Sequence, residues 1–558
     1  MDVNPTNRSD PPSTTSTTST PSQEGRRALV SGAGRLGLGA ALSRVLGLGR
    51  DMTRAYFFGT GPAADAFTIA FRLPNLLRAL FAEGSLSAAF VPTFARELEK
   101  GDRRDHVRFL RACSGTLLAA LLGVTVLGIL LAPIVVPLMV PGFAAVEGKI
   151  ELTVQLTQAL FPYLLLIGLA TLAMGALNAL RHFTAPALAP AVLNIVLILG
   201  VLLLCPVMGD QPETQIWGLV IAVAIGGVLQ LAIQLPELRK RGLTLWPSLE
   251  FNHPGVHRVV TLMVPGVIGI SVQEINAFVD IFLASFLEPG SPSALEYGQR
   301  VMQLPLGIVG VALGTAVLPT LARQLARGER TAAEDTTGFS MRVGFLVLAP
   351  AAIGFVLLAE PILALLFARG AFAHGRSLEM TTRALQFFAL GLPAYGAAKS
   401  LVPLFYAQGD TRTPVRCSII AMVSNIVLNL VLMPFLGLGG LALATALSSF
   451  LNVGLLLFYA RRRHGFSPLR RFRVALLRTA PALVGFGVAA AVTLMLVQRI
   501  GLSGLIGALV AGLVPLAAAC LVYVAFLEWR SPEEWRYLRD LVRTRLRRAP
   551  REDDGASG

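Results

Sequence analysis

The sequence predicts an all-α polytopic membrane protein, with about fourteen transmembrane helices forming two pseudo-symmetric six-helix lobes and two further helices at the C-terminus. Three observations predict it. Apolar runs recur almost end to end, each near the ~20 residues that cross a ~30 Å hydrocarbon layer. The 558-residue chain is 54% hydrophobic and only 15% charged, with mean hydropathy +0.65, which excludes an ordinary soluble protein of that length. A heptapeptide, PTFAREL at 92–98, returns as PTLARQL at 319–325, closing the second and the eighth runs alike.

The elements follow in order. Residues 1–27 form a polar Ser/Thr/Pro tract that cannot bury enough apolar surface to fold, and it reads as a disordered cytoplasmic tail rather than a cleaved signal. Spans are expected near 30–58, 65–95, 112–140, 152–180, 187–208 and 216–236, then 259–287, 294–324, 338–367, 380–408, 415–435 and 439–460. The last two fall near 474–498 and 504–527. The domain reading is an N-lobe over 28–236, a cytoplasmic linker over 237–258 and a C-lobe over 259–460. The final pair spans 474–527 and a basic cytoplasmic tail covers 528–558. Because both halves start from the same side, the repeat is parallel, and transporters built this way place substrate between the halves near mid-membrane.

Charge fixes the expected orientation. The net charge of +15 comes from 48 Lys+Arg against 33 Asp+Glu. Basic residues gather in alternate loops, such as Arg103, Arg104, Arg108 and Arg111, then Arg239, Lys240 and Arg241, then Arg461, Arg462 and Arg463. Excess positive charge marks cytoplasmic loops, so both termini are placed inside, and the charge needs no nucleic-acid partner. The C-terminal tail, with Arg536, Arg539 and Arg543, reads as a basic helix on the anionic inner leaflet or as a solvated one. Cys113, Cys205, Cys417 and Cys520 lie far apart without metal-ligand spacing and read as buried free thiols.

Arginines inside apolar runs carry the chemistry. An ionised group at membrane depth costs at least about 2.5–3.5 kcal/mol, so such groups face watery cavities and bind something negative. Guanidinium is planar, always charged and suited to phosphate. In SRVLGLGRD (43–51), Arg44 and Arg50 are six residues apart, about 120° on a straight helix. Both reach one cavity if Gly47 and Gly49 let the helix bend or unwind, whereas Arg50 and Arg54 at the outer interface would simply snorkel. Asp51 returns to nearly the face of Arg44 and can pair with it. The second run carries Asp65, Arg72, Arg78 and Glu83, too many charges for a lipid-facing helix. Pro74 would break the ladder between Arg72 and Arg78 and let both point inward, with Glu83 placed to restrain Arg78. A static ion-pair network holding helices together is the alternative reading. Arg300 lies in the eighth run.

A second constellation is oxygen-bearing: Asp280, Asn425, Asn429 and Thr445. Asn425 and Asn429 are four apart on one helix face, and hard cations take oxygen ligands. The competing reading is polar glue between helices. Glu274 and Lys399 are further buried candidates with no partner assigned.

The blocks SRVLGLGRD, FGTGPAADAF and FRLPNLLRALFAEGSLSAAFVP resemble the signature of the MurJ (MviN) family of lipid II flippases, a branch of the multidrug/oligosaccharidyl-lipid/polysaccharide exporter superfamily. The likeness continues through FPYLLLIGLA, GVLQLAIQLP, YGQRVMQLPLGIVGVALGTAVLP and LFYAQGDTRTPV, covering roughly residues 28–475. The resemblance implies two lobes around a cationic cavity, and a groove involving the last two helices for a polyprenyl tail. It places the family's cavity arginines on Arg44, Arg50, Arg78 and Arg300, its serine on Ser43 and its acidic positions on Asp51, Asp65 and Glu83. Arg72 falls where relatives often have another basic residue. It implies lipid II and membrane lipids as partners, an inner-membrane location, and association with cell-wall synthesis machinery. Some members hold sodium between the same helices, with a second carboxylate where this chain has Asn429, so this site carries less charge.

The expected function is lipid II translocation by alternating access, with no cofactor and with sodium as a candidate coupling ion. Moving a diphosphate head through hydrocarbon unaided would cost tens of kcal/mol, on the order of the Born penalty. No Walker A loop supplies ATP, which leaves the membrane potential or a cation gradient as the drive. The alternatives are an exporter of another polyprenyl-linked oligosaccharide or a cation-coupled drug antiporter. An integral-membrane enzyme is disfavoured, because His106, His182, His253, His257, His374 and His464 are scattered over loops.

Overall fold

The computed structural model describes residues 42–80, 85–100, 102–314, 317–467, 469–502 and 504–530, with a few positions after Arg530. The expected N-terminal tail, Glu83 and the basic segment from 540 onward lie outside the described residues. Every regular element within them is helical.

The first half contains α1 (42–58), α2 (Pro62–Arg78), α3 (Ser85–Lys100), α4 (Arg103–Met139), α5 (Lys149–Leu160), α6 (Tyr163–Ala179), α7 (Thr184–Leu203), α8 (Pro212–Ala232) and α9 (Leu235–Lys240). The second half contains α10 (Pro254–Ala284), α11 (Ser291–Gly314), α12 (Val317–Ala326), α13 (Arg330–Phe367), α14 (Ser377–Leu390), α15 (Leu392–Ala407), α16 (Arg412–Leu436) and α17 (Leu438–His464). Helices α18 (Leu469–Ile500) and α19 (Gly504–Arg530) complete it. Proline opens α2, α8 and α10, where its missing N–H costs nothing, and Gly465 at φ 70° closes α17.

Among the described residues, nine helical stretches are long and apolar enough to cross a membrane, or ten if α14 and α15, bent by 45°, form one span. This is a polytopic membrane fold, although the criterion does not fix the count at fourteen. Helix α2 falls outside it, at 17 residues and with charges on it. Exposed apolar side chains agree: Leu130, Ile134 and Leu138 of α4 and Val484, Val488 and Met495 of α18 face outward, as lipid contact demands.

The sequence repeat has a structural counterpart. Arg96 Nε donates to the Pro92 carbonyl at 3.1 Å, and Arg323 Nε donates to the Pro319 carbonyl at 3.3 Å. The same arginine satisfies the same proline-associated carbonyl in both halves.

Apolar packing groups accordingly. One cluster joins α2, α5, α6, α7 and α8 through Phe67, Leu160, Tyr163, Leu197 and Leu219. Another joins α11, α13, α14 and α17 through Tyr297, Phe367, Leu385 and Leu441. Helices α18 and α19 pack on α13 through Phe486, Tyr523 and Leu358, and the Tyr523 hydroxyl donates to the Leu346 carbonyl at 2.9 Å.

The two halves meet along α10, which packs on α3 and α4 through Val256, Val259, Phe90 and Phe109, and by polar contacts at the end that the charge pattern assigns to the outside. Asp65, at 0% exposure in the first turn of α2, accepts from the Gly290 and Ser293 amides at 2.7 and 3.0 Å and from the Ser293 hydroxyl at 2.6 Å. It thereby caps the N-terminus of α11 from the opposite half, where a carboxylate also suits the helix dipole. Lys149 Nζ pairs with the same carboxylate at 2.8 Å. Thr60 and Ser377 share a hydroxyl–hydroxyl bond of 2.8 Å. Gly290 has φ +98°, and a Cβ there would overlap the Thr60 carbonyl, while one at Gly142 would overlap the backbone of Ser285. Glycine lets the halves touch backbone to backbone.

Candidate functional site

Between the halves lies a cavity of about 950 Å³, lined from both. Helix α1 runs unbroken over 42–58 and presents Ser43, Arg44, Arg50 and Arg54 to it. Of the two expected routes, bending or unwinding at Gly47 and Gly49, unwinding does not occur. Arg44 and Arg50 nonetheless both reach the cavity. Helix α2 adds Arg78, α11 adds Glu296 and Arg300, and α15 adds Lys399. A polar wall of Asn75, Asn194, Gln230, Asn276, Gln299 and Gln303 supplies neutral hydrogen-bonding groups.

The cations differ in how they are held. Arg50 donates to Asp51 Oδ1 from Nε at 3.0 Å and from Nη2 at 2.8 Å, and to Asn194 Oδ1 at 3.1 Å. Asn194 in turn donates to the Ser43 carbonyl at 3.1 Å, fixing the start of α1. Arg300 Nε approaches Asp51 Oδ2 to 2.9 Å across the two halves, without the alignment of a hydrogen bond. Asp51, only 2% exposed, therefore organises Arg50 and Arg300 rather than Arg44. Arg78 Nε donates to Asn75 Oδ1 at 2.7 Å. The Arg44 guanidinium lies against Gly307 of α11, with Nη1 2.5 Å from where a Cβ on that residue would stand.

Two expected positions sit elsewhere. Arg72 does not line the cavity; it pairs with Glu274 of α10 at 3.5 Å, which also gives Glu274 the partner it lacked. Pro74 lies inside an α2 that stays helical through Arg78, so Arg72 and Arg78 remain about 120° apart, and Glu274 on the neighbouring helix holds Arg72 on its own side. Asp65 is likewise off the cavity lining and belongs to the outer contact described above.

The oxygen-bearing constellation is brought together. Asn429 Nδ2 donates to Asp280 Oδ1 at 2.7 Å and to Asn425 Oδ1 at 3.0 Å, and Asn425 Nδ2 reaches Thr445 Oγ1 at 3.3 Å. Thr445 borders the cavity. Asn429 Oδ1 is buried without a hydrogen-bond partner, an orphaned acceptor beside a carboxylate. With the Asn425 amide turned over, its nitrogen donates to Asn276 Oδ1 at 3.0 Å and its oxygen accepts from the Thr445 amide at 3.1 Å. Carboxylate, amide and hydroxyl oxygens in one cluster fit a hard monovalent cation.

Sequence reasoning missed Glu296 and Asn194 and left Arg54 at the interface. Arg54 is 6% exposed; its Nη2 donates to Glu296 Oε2 at 2.8 Å and its Nε to the Tyr297 hydroxyl at 3.0 Å. A signal was available, since Arg54 is one helical turn from Arg50 and Glu296 one turn from Arg300.

The family profile described as Lipid II flippase MurJ matches residues 54–514. This chain belongs to the MurJ family. A relative from Vibrio cholerae, named Probable lipid II flippase MurJ, is 40% identical over 422 residues, covering 74% of this chain and 79% of that protein. One from Burkholderia cenocepacia, named Lipid II flippase MurJ, is 37% identical, covering 80% and 86%. A solved structure titled Lipid II flippase MurJ, inward closed conformation, superposes with a TM-score of 0.72 at 25% identity, covering 91% of this chain and 99% of that one. An inward-facing multidrug-resistance MATE transporter of the MOP superfamily shares the fold, with a TM-score of 0.59 at 16% identity over 78% of this chain and 98% of that one. MurJ relatives are named as flippases, which are transporters and not enzymes.

Proposed function

We propose that this MurJ-family chain moves lipid II, a polyprenyl-diphosphate-linked peptidoglycan precursor, from the inner to the outer leaflet of the cytoplasmic membrane. The observation that carries the reading is the cavity of about 950 Å³ lined by Arg44, Arg50, Arg54, Arg78, Arg300 and Lys399, with Glu296 the one carboxylate facing it among the described residues. Guanidinium groups replace the water that diphosphate oxygens lose, and the neutral amides around them suit sugar hydroxyls. The apolar tail stays in lipid, along the exposed apolar side chains of α18 and α19, such as Val488, Met495, Leu513 and Leu521, whose opposite faces pack on α13.

Alternating access is the mechanism. The contacts of Asp65 and Thr60 hold the halves together at the outer end and support entry of the head from the cytoplasmic side, with rocking of the halves transferring it outward. The drive is the membrane potential, a cation gradient, or both; voltage supplies about 2.3 kcal/mol per charge per 100 mV. Asp280, Asn425, Asn429 and Thr445 would hold the coupling sodium ion, whose inward movement resets the empty carrier.

The test is complementation in cells depleted of their own lipid II flippase, with Arg44→Ala and Arg300→Ala compared at equal membrane abundance. Rescue by the unaltered chain and not by the variants is expected. Rescue by all three would remove the arginines from the mechanism. No rescue by a well-expressed unaltered chain would reassign the substrate to another polyprenyl-linked glycan.

A further inference from the structure

Four charges link α1 to α11 in a reciprocal pattern. Asp51 and Arg54 are three residues apart on α1, and Glu296 and Arg300 are four apart on α11, so each couple shares a helix face. The pairs cross with opposite polarity: Arg300 meets Asp51 at 2.9 Å, and Arg54 meets Glu296 at 2.8 Å. The second pair is the better built. Glu296 Oε2 also accepts from Thr68 Oγ1 of α2 at 2.8 Å, and the Arg54 guanidinium stacks on the Tyr297 ring at 4.7 Å. One carboxylate of the second half is thus gripped by α1 and α2 of the first.

Burial is uneven in a telling way. The Arg54 side chain is 7% exposed, whereas that of Glu296 is 31% exposed, and both border the cavity. A purely structural pair has no reason to leave its carboxylate open to the space where an anion is carried. An incoming phosphate oxygen reaches the Glu296 side of the pair first and offers Arg54 the same charge-assisted bonds that the carboxylate now makes.

We propose that Arg54–Glu296 is a latch between the halves that the anionic head of the substrate opens by displacing Glu296 from Arg54. Arg54 is then a further substrate-binding residue, and Glu296 is a positioning residue that keeps the empty carrier shut at its outer end. The proposal rests on the cationic-cavity reading above. Reciprocity follows from linkage: whatever factor the latch takes from anion affinity, the anion takes from latch closure.

The experiment uses the full chain in proteoliposomes with a Thr60→Cys reporter in the buried outer contact, labelled by a charged, membrane-impermeant thiol reagent. The same chain without the reporter serves as background. Glu296→Gln keeps the side-chain shape and removes the charge, and it is expected to raise labelling at least about fivefold, the lower end of ordinary coupling between linked sites. The exchanged pair Arg54→Glu/Glu296→Arg, which restores the attraction with its polarity reversed, is expected to bring labelling back within about twofold of the starting chain. A short-chain polyprenyl diphosphate is expected to raise labelling of the reporter chain and to give no further rise in Arg54→Gln. Unchanged labelling in Glu296→Gln, or a diphosphate response undiminished in Arg54→Gln, would overturn the latch. These arms need no translocation, so a chain that fails complementation but shows both responses keeps the latch and loses the lipid II reading.

Discussion

Replacing Asp65 by alanine should loosen the outer contact more than any other single change at that end. The carboxylate is fully buried, and its partner Lys149 is 3% exposed at the side chain, so solvent screens neither charge. Asp65→Ala removes four polar contacts, from Lys149, the Gly290 amide, and the Ser293 amide and hydroxyl. It leaves the ammonium with little but the Phe143 ring, 3.7 Å away. Stranding one member of a buried pair costs about 3–5 kcal/mol. Taking out both charges, as in Asp65→Ala/Lys149→Met, should recover most of that, leaving about 1–2 kcal/mol for the lost cap on α11. Thermal and denaturant unfolding of the detergent-solubilised chain measures both values, with impermeant-thiol labelling of the outer contact as a second readout. If Asp65→Ala costs under about 1 kcal/mol, or if the double variant is as unstable as the single one, the buried pair is not what holds this end shut.

Three further outcomes are expected. Arg44 makes no hydrogen bond or ion pair among the described residues, so Arg44→Ala should leave stability within about 0.5 kcal/mol and abolish complementation, separating binding from folding. Asp280→Asn removes the one formal charge of its oxygen cluster, and flipping in vesicles should lose its response to sodium while keeping its response to voltage; an unaltered sodium response would assign the ion elsewhere. Gly142→Ala would drive a methyl into the Ser285 backbone, so it should destabilise by about 1–3 kcal/mol and raise outer accessibility in labelling experiments.

How much of this was legible in the sequence depends on the kind of interaction. Arginines in apolar runs announce a cavity because hydrocarbon tolerates them nowhere else, and Arg44, Arg50, Arg78 and Arg300 do line it. The repeat was legible in the recurring letters themselves, and the structure gives Arg96 and Arg323 the same bond to their proline carbonyls. Pairing was not legible. Asp51 could be placed on the face of Arg44 by helical arithmetic, but it bonds to Arg50 beside it and Arg300 across the cavity, a choice made by the packing of α1 on α11. Glu296 stayed invisible because a carboxylate in the first turns of a helix reads as a helix-start preference. Only the position of Arg54 shows that it reaches across. Arg72 misled because proline was expected to break α2, whereas in a membrane neighbouring helices keep a proline-bearing helix continuous.

The cavity cations are graded along α1, and the grading bears on how a tightly charged head is carried without being trapped. From Arg44 to Arg54 the helix advances about 15 Å. At the start, Arg44 is unpaired among the described residues, as is Lys399 across the cavity, and an anion meets no competitor there. About one and two-thirds turns further, Arg50 is already tied to Asp51, and beyond it Arg54 is tied to Glu296. In the cycle proposed above, an anion moving outward would exchange free cations for paired ones, and each exchange would release a carboxylate. Net affinity would therefore fall as the head advances, although the count of arginines near it would not. A uniformly unpaired cavity would bind a diphosphate strongly in both states and release it slowly, because a ligand with equal affinity for two states shifts neither. Pairing the deeper arginines to carboxylates that span the two halves makes anion binding and outer closure compete for the same guanidinium groups. In the proposed cycle, that competition would supply the differential affinity that alternating access requires.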